Sequence, residues 1–235
     1  MGTALRLLGS FAIISGREAV DNASLGEQRL IVLLALRDRV ISRSAVAGML
    51  WPESSTSHAA LRLRSTLTRL DSAGRSVVEL TPGGLRLNAA CAVDYLGARA
   101  FAEDLLEQEN GVNPRTAAET CAAIALLCLE LLPDSYDDWV LAEAEDWRLL
   151  RAAALEALTA TLSADDRPHL AMGAARAAIR NEPLRETAQA GLIRLHLADG
   201  NQSEAMRVYE RYCETLDEAL HLTPSPILKA LVNVS

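Results

Sequence analysis

Seven consecutive apolar residues, Leu30-Ile31-Val32-Leu33-Leu34-Ala35-Leu36, stand directly behind a helix start signal. No other feature restricts the fold as much. Ser24-Leu25-Gly26-Glu27 is a capping box: Ser24 can accept from the backbone N–H of Glu27, whose carboxylate reaches back. The helix it opens, Gln28 to Arg37, is apolar on every side. It is therefore predicted at the centre of its domain, with other elements packed around it. The run is too short to cross a bilayer. The opening Met1-Gly2-Thr3-Ala4-Leu5-Arg6 has no basic region followed by an apolar stretch and a cleavage site, so no secretory signal is expected. A cytoplasmic protein follows.

The elements around this helix come in a recognisable order. Leu5-Arg6-Leu7-Leu8 and Phe11-Ala12-Ile13-Ile14 read as short strands punctuated by Gly9 and Gly16. A second helix starts at Ser42, places Val46, Met49 and Leu50 on one face, and stops at Trp51-Pro52. A third runs from about His58 to Asp71, with Ala60, Leu63, Leu67 and Leu70 as its apolar stripe. Opposite that stripe lie His58, Arg62, Ser65 and Arg69, with no acid before Asp71. Plain solvation would suit such a face, although a solvated helix usually mixes both signs. It also suits a major groove, where Arg reaches guanine or phosphate and Ser donates to either. Next, Val77-Val78-Glu79-Leu80, Thr81-Pro82-Gly83-Gly84 and Leu85-Arg86-Leu87 read as a hairpin with a tight turn. Three helices and a hairpin make the winged-helix order. The third helix is then the reader, and Arg75 and Arg86 flank a wing tip near phosphates. An Arg on a wing strand serves equally as a solvated side chain.

Charge divides the chain in the same place. Residues 1–95 carry 11 Arg against 8 acids, whereas residues 96–235 carry 12 basic residues against 23 acids. Two halves of opposite sign suggest two different partners. The second half is helical, alanine-rich and poor in Gly and Pro, with long helices expected over Asp94–Glu109, Pro114–Leu132 and Trp139–Leu162. Ala171, Ala175, Ala178 and Pro183 then have the spacing of a tetratricopeptide repeat, and Ala205, Tyr209 and Tyr212 repeat it 34 residues on. The expected fold is mainly α with a small β component: a winged helix-turn-helix over residues 1–93, then a helical tetratricopeptide-like domain over 94–235. Residues 1–95 hold a whole core and wing, and are expected to fold alone.

The chain resembles the antibiotic-regulatory-protein (SARP) family of actinobacterial transcription activators. The likeness rests on Leu5-Arg6-Leu7-Leu8-Gly9, Trp51-Pro52, the run Leu63-Arg64-Ser65-Thr66-Leu67-Thr68-Arg69-Leu70, and Gly83-Gly84-Leu85-Arg86-Leu87 with Val93-Asp94. Downstream, Leu131 to Val140 and Thr223-Pro224-Ser225-Pro226 resemble its bacterial transcriptional activation domain. Gly26-Glu27-Gln28-Arg29 departs from the Gly and basic residue that many relatives carry before the first helix. The resemblance implies an OmpR-type winged helix that binds direct repeats in promoters, probes double-stranded promoter DNA as a homodimer, and recruits RNA polymerase holoenzyme through its sigma factor and core subunits. It implies an antibiotic gene cluster as target and a place at the nucleoid. The candidate DNA contacts are His58, Arg62, Arg64, Ser65, Thr66, Arg69, Arg75, Gly83, Gly84 and Arg86. The competing reading is a helical-repeat adaptor whose winged helix meets protein instead of DNA.

Other chemistry finds little support. Cys91, Cys121, Cys128 and Cys213 form no C-x-x-C pair and are expected to pack as thiols, Cys121 and Cys128 on one helix face. His169, His196 and His221 are isolated, so no metal site is expected. There is no G-x-x-x-x-G-K, and the one lysine is Lys229; G-x-S-x-G and H-E-x-x-H are missing too. Glu143, Glu145 and Asp146 read as a solvated helix face, and Trp139 and Trp147 as core. No enzyme, catalytic residue, metal or cofactor is expected.

Overall fold

A computed structural model describes residues 3–16, 18–20, 23–107 and 116–233. Six short strands and eleven helices follow in chain order among the described residues. The chain forms two compact units: residues 1–97 with 130–144, and residues 98–129 with 145–235.

The first unit begins with β1 (Thr3–Arg6), β2 (Ala12–Ser15) and β3 (Glu18–Val20), three antiparallel neighbours of which β3 was not expected. Then come α1 (Leu25–Arg37), α2 (Arg43–Leu50) and α3 (Thr56–Arg69). A short α4 (Ser72–Val77) precedes the hairpin of β4 (Val78–Thr81) and β5 (Gly84–Leu87). Finally β6 (Ala92–Val93) pairs parallel to β1, closing a sheet of order β3-β2-β1-β6. Leu30 to Ala35 of α1 are all buried, as an element apolar on every side requires. The backbone N–H of Ser24 donates to the Glu27 carboxylate at 2.7 Å, so the capping box forms.

Segment 130–144 joins this unit although it lies far along the chain. The Gly9 N–H donates to the Glu130 carbonyl at 2.7 Å, the Leu132 N–H to the Leu7 carbonyl at 3.0 Å, and Leu8 bridges Leu131. Leu131, Leu132 and Val140 are buried. Arg29 of α1 grips Asp137 with two bonds, 2.6 and 2.8 Å. The expectation that residues 1–95 suffice for a fold omits this segment.

Asp94 secures the end of β1. Its carboxylate accepts from the backbone N–H groups of Leu7 and Leu8 at 2.7 and 3.2 Å, and from Tyr95 at 2.7 Å. Burial pushes its carboxyl above the usual range, and the three N–H groups pull partly back. Leu7 and Leu8 are buried, so losing this acceptor strands their donors away from water. Asp94→Ala is expected to cost about 2–4 kcal/mol, since each orphaned buried donor costs roughly 1–3 kcal/mol. Urea denaturation of the full chain measures it; an unchanged midpoint would show that water replaces the carboxylate.

In the second unit the helices are the later part of α5 (Asp94–Glu107), α6 (Ala117–Leu127), most of α7 (Asp138–Ala164), α8 (Pro168–Asn181), α9 (Glu186–Ala198), α10 (Gln202–Leu220) and α11 (Pro226–Asn233). The expected helix end at Glu109 and helix start at Pro114 fall outside the described residues. Thr116 and Glu119 form a capping box that opens α6. α8 packs against both α6 and α9, and its Ala171, Ala174, Ala175, Ala177 and Ala178 are all buried; such small side chains let helices approach closely. Tyr212 of α10 is buried and its hydroxyl donates to the Leu184 carbonyl at 3.3 Å, while Tyr209 is half-buried. Trp147 is core and donates to the Leu129 carbonyl. Trp139, in the first unit, is only half-buried, and Cys121 is exposed; the core packing expected of both residues is corrected accordingly. Among the described residues no helix is long and apolar enough to cross a membrane, and no cluster of ligating side chains could hold a metal ion.

Candidate nucleic-acid interface

Helices α2 and α3 pack against each other across the loop Trp51-Pro52-Glu53-Ser54-Ser55. Ser42 caps α2 by accepting from the Ala45 N–H at 3.3 Å, and Ser55 caps α3 by accepting from the His58 N–H at 3.4 Å. Local serine chemistry thus fixes where both helices begin. The buried line of α3 is Ala59, Leu63 and, at its C-cap, Leu70, with Thr66 and Leu67 half-buried. Ala60, expected in the apolar stripe, is exposed and Ala59 is buried in its place, whereas Leu63 and Leu70 are buried as expected: the helix is rolled by much less than the 100° of one residue.

His58, Arg62, Arg64, Ser65 and Arg69 are all exposed on this helix, whose fourteen residues include no acid. Arg64 and Arg69 enter no ion pair among the described residues. Arg62 is placed more specifically. Its guanidinium lies over the Trp51 ring, 5.1 Å from the centroid. Such a stack contributes about 0.5–1 kcal/mol at an exposed site and fixes where the charge stands. Thr66 is half-buried and its hydroxyl donates to the Arg62 carbonyl at 3.0 Å, so it faces its own helix. Thr68, not among the expected contacts, is exposed, and donates likewise to the Arg64 carbonyl at 2.8 Å. Leu61 was also passed over, yet it is 59% exposed between His58 and Ser65. A large apolar residue on a polar helical face was the signal.

The remaining expected residues are dispersed. Arg75 sits on α4, which the sequence had not revealed, and donates to the Thr68 carbonyl at 3.2 Å. It thus ties α4 to the C-terminal end of α3. On the wing, Glu79 and Arg86 are directly opposite in register and form a two-bond pair at 2.8 and 2.9 Å. Glu79 raises the guanidinium pKa and neutralises the charge expected to face phosphate. Gly83 is exposed at the turn, whereas Gly84 is buried. A Cβ on Gly84, whose φ is 153°, would stand 1.9 Å from the Ile41 carbonyl oxygen. Gly84 therefore serves a close backbone approach.

Residues 97–233 match the family described as "Bacterial transcriptional activator domain". The chain belongs to that family. The fold is also similar to a solved structure titled "Mycobacterium tuberculosis EmbR in complex with low affinity phosphopeptide". The two share 23% identity with a TM-score of 0.66, over 98% of this chain and 64% of the other. This chain thus spans less than two-thirds of that protein's length, and the likeness is one of fold. No curated protein matches. The activator-domain match agrees with the resemblance to the antibiotic-regulatory-protein type, and the likeness of fold is consistent with it.

Proposed function

We propose that this activator binds double-stranded promoter DNA at direct repeats, as a homodimer, with α3 in the major groove. In this reading it works in the cytoplasm at the nucleoid, on promoters of an antibiotic or other secondary-metabolite cluster. Its acidic second unit, tetratricopeptide-like over α8 to α11, would recruit RNA polymerase holoenzyme through sigma factor and core subunits. The observation that carries the reading is the exposed face of α3: three arginines, a histidine and a serine, with no acid to cancel them. Phosphates attract that face, and base edges can receive it.

A gel shift of the full chain on a promoter with direct repeats, across a salt series, tests this. Log affinity should fall linearly with log salt, because bound arginines release counterions. Arg64→Ala and Arg69→Ala should each weaken binding to all sequences alike and reduce the salt slope by about one. Both positions are exposed, so the melting temperature should barely move. Parent-like binding by both variants would remove the DNA-reading role from this face and favour the protein-contact reading.

A further inference from the structure

The buried line of α3 settles which residues lead the helix outward. With about 3.6 residues per turn, the line opposite Ala59, Leu63 and Leu70 runs through Leu61, Ser65 and Thr68. None of these three is an arginine. Arg62 and Arg69 lie on one flank of this crest, and Arg64 lies on the other. A groove has the same plan: a row of phosphates along each edge and uncharged base edges on the floor. Arg62 is held on its flank by Trp51. The hydroxyl of Thr68 is engaged with the carbonyl of Arg64.

Leu61 stands near the middle of this crest and is 59% exposed, a large apolar side chain left in water. The floor of the major groove offers one apolar group, the C5-methyl of thymine. We infer that Leu61 is a specificity-determining residue that packs against a thymine methyl in each half-site. This rests on the DNA-binding reading above. The flanking arginines hold the helix in register on the phosphates, and Leu61 makes a contact that distinguishes thymine from the other bases.

Deoxyuridine lacks only that methyl, so it isolates the contact. A duplex is first selected from random sequence by the full chain, and each thymine is then replaced singly by deoxyuridine. For the parent chain, replacement at one thymine per half-site should lower affinity about threefold to fivefold, the worth of one buried methyl. Leu61→Ala should lower affinity for the unmodified duplex by a similar factor, and should lose nothing further at that thymine. Leu61→Asn, which keeps the length and branching of the side chain, should be equally blind to the methyl. Circular dichroism should show both variants folded as the parent. If every deoxyuridine substitution acts equally on parent and variants, Leu61 reads no methyl and the inference fails, while the role of α3 stands. If the chain selects no duplex at all, both readings fall together.

Discussion

Gly84→Ala is expected to destabilise the first unit by about 3–5 kcal/mol, whereas Gly83→Ala, one residue earlier, should change it by less than about 1 kcal/mol. The two glycines look equivalent in the turn, but their surroundings differ. At Gly83 a Cβ meets the Val40 side chain at 3.6 Å, an ordinary contact. At Gly84 it would lie 1.9 Å from the Ile41 oxygen and 2.6 Å from the Ile41 carbonyl carbon, both backbone atoms that cannot swing away. The chain there is held by paired bonds, Ile41 N–H to the Leu85 carbonyl and Leu85 N–H to the Ile41 carbonyl, each 2.8 Å. Relief would require breaking both and unpacking Ile41 and Leu85, which are buried. A φ of 153° adds strain for any residue with a side chain. Thermal melts of the two variants side by side provide the measurement. Equal midpoints would show that the wing can leave Ile41 at little cost.

A fragment ending at Gly97 is expected to lose cooperative folding, and residues 130–144 appended to it through a flexible Gly-Ser linker should restore it. Without that segment the fragment lacks three buried apolar side chains, Leu131, Leu132 and Val140. At roughly 1.5–3 kcal/mol each, as an upper estimate, these alone rival the whole stability of a small domain. Arg29 would also lose Asp137, and the Tyr95 hydroxyl would lose the Glu143 carboxylate that accepts from it at 2.7 Å. Amide dispersion in the nuclear magnetic resonance spectra of the two fragments decides the matter. A well-dispersed spectrum from residues 1–97 alone would show the segment to be an accessory.

What the sequence made legible was local. Ser24 with Glu27 and Ser42 lie within a few residues of the helix they start, and both positions act as caps. Arg64, Ser65 and Arg69 are exposed because helical period alone takes them off the apolar line. Helix α4 was hidden by its own brevity and by Gly74, which lowers helix propensity. Its cap is plain only in hindsight: the Gly74 N–H donates to the Asp71 carboxylate at 2.7 Å. The choice between Ala59 and Ala60 depended on how α3 lies on α2, which periodicity leaves open to within one residue. The Arg86 pairing followed from hairpin register with Glu79 and could have been read; charge counting treated the arginine as free. The role of Glu130 to Ala144 had no local signal, since its partners Leu7, Leu8 and Gly9 are more than a hundred residues away.

That discontinuity also bears on how the protein is made and how it could evolve. On the expectation for the fragment ending at Gly97, the first unit closes only once residue 144 has left the ribosome, although its sheet, α1 to α4 and wing are complete by residue 97. At typical elongation rates the wait is roughly 2–10 s, during which part of the α1 surface stays uncovered and open to chaperones. The same arrangement constrains recombination. A single crossover after the wing would join a reading helix to a foreign segment where Leu131 and Asp137 should be, so an exchange of operator specificity between relatives calls for two breakpoints.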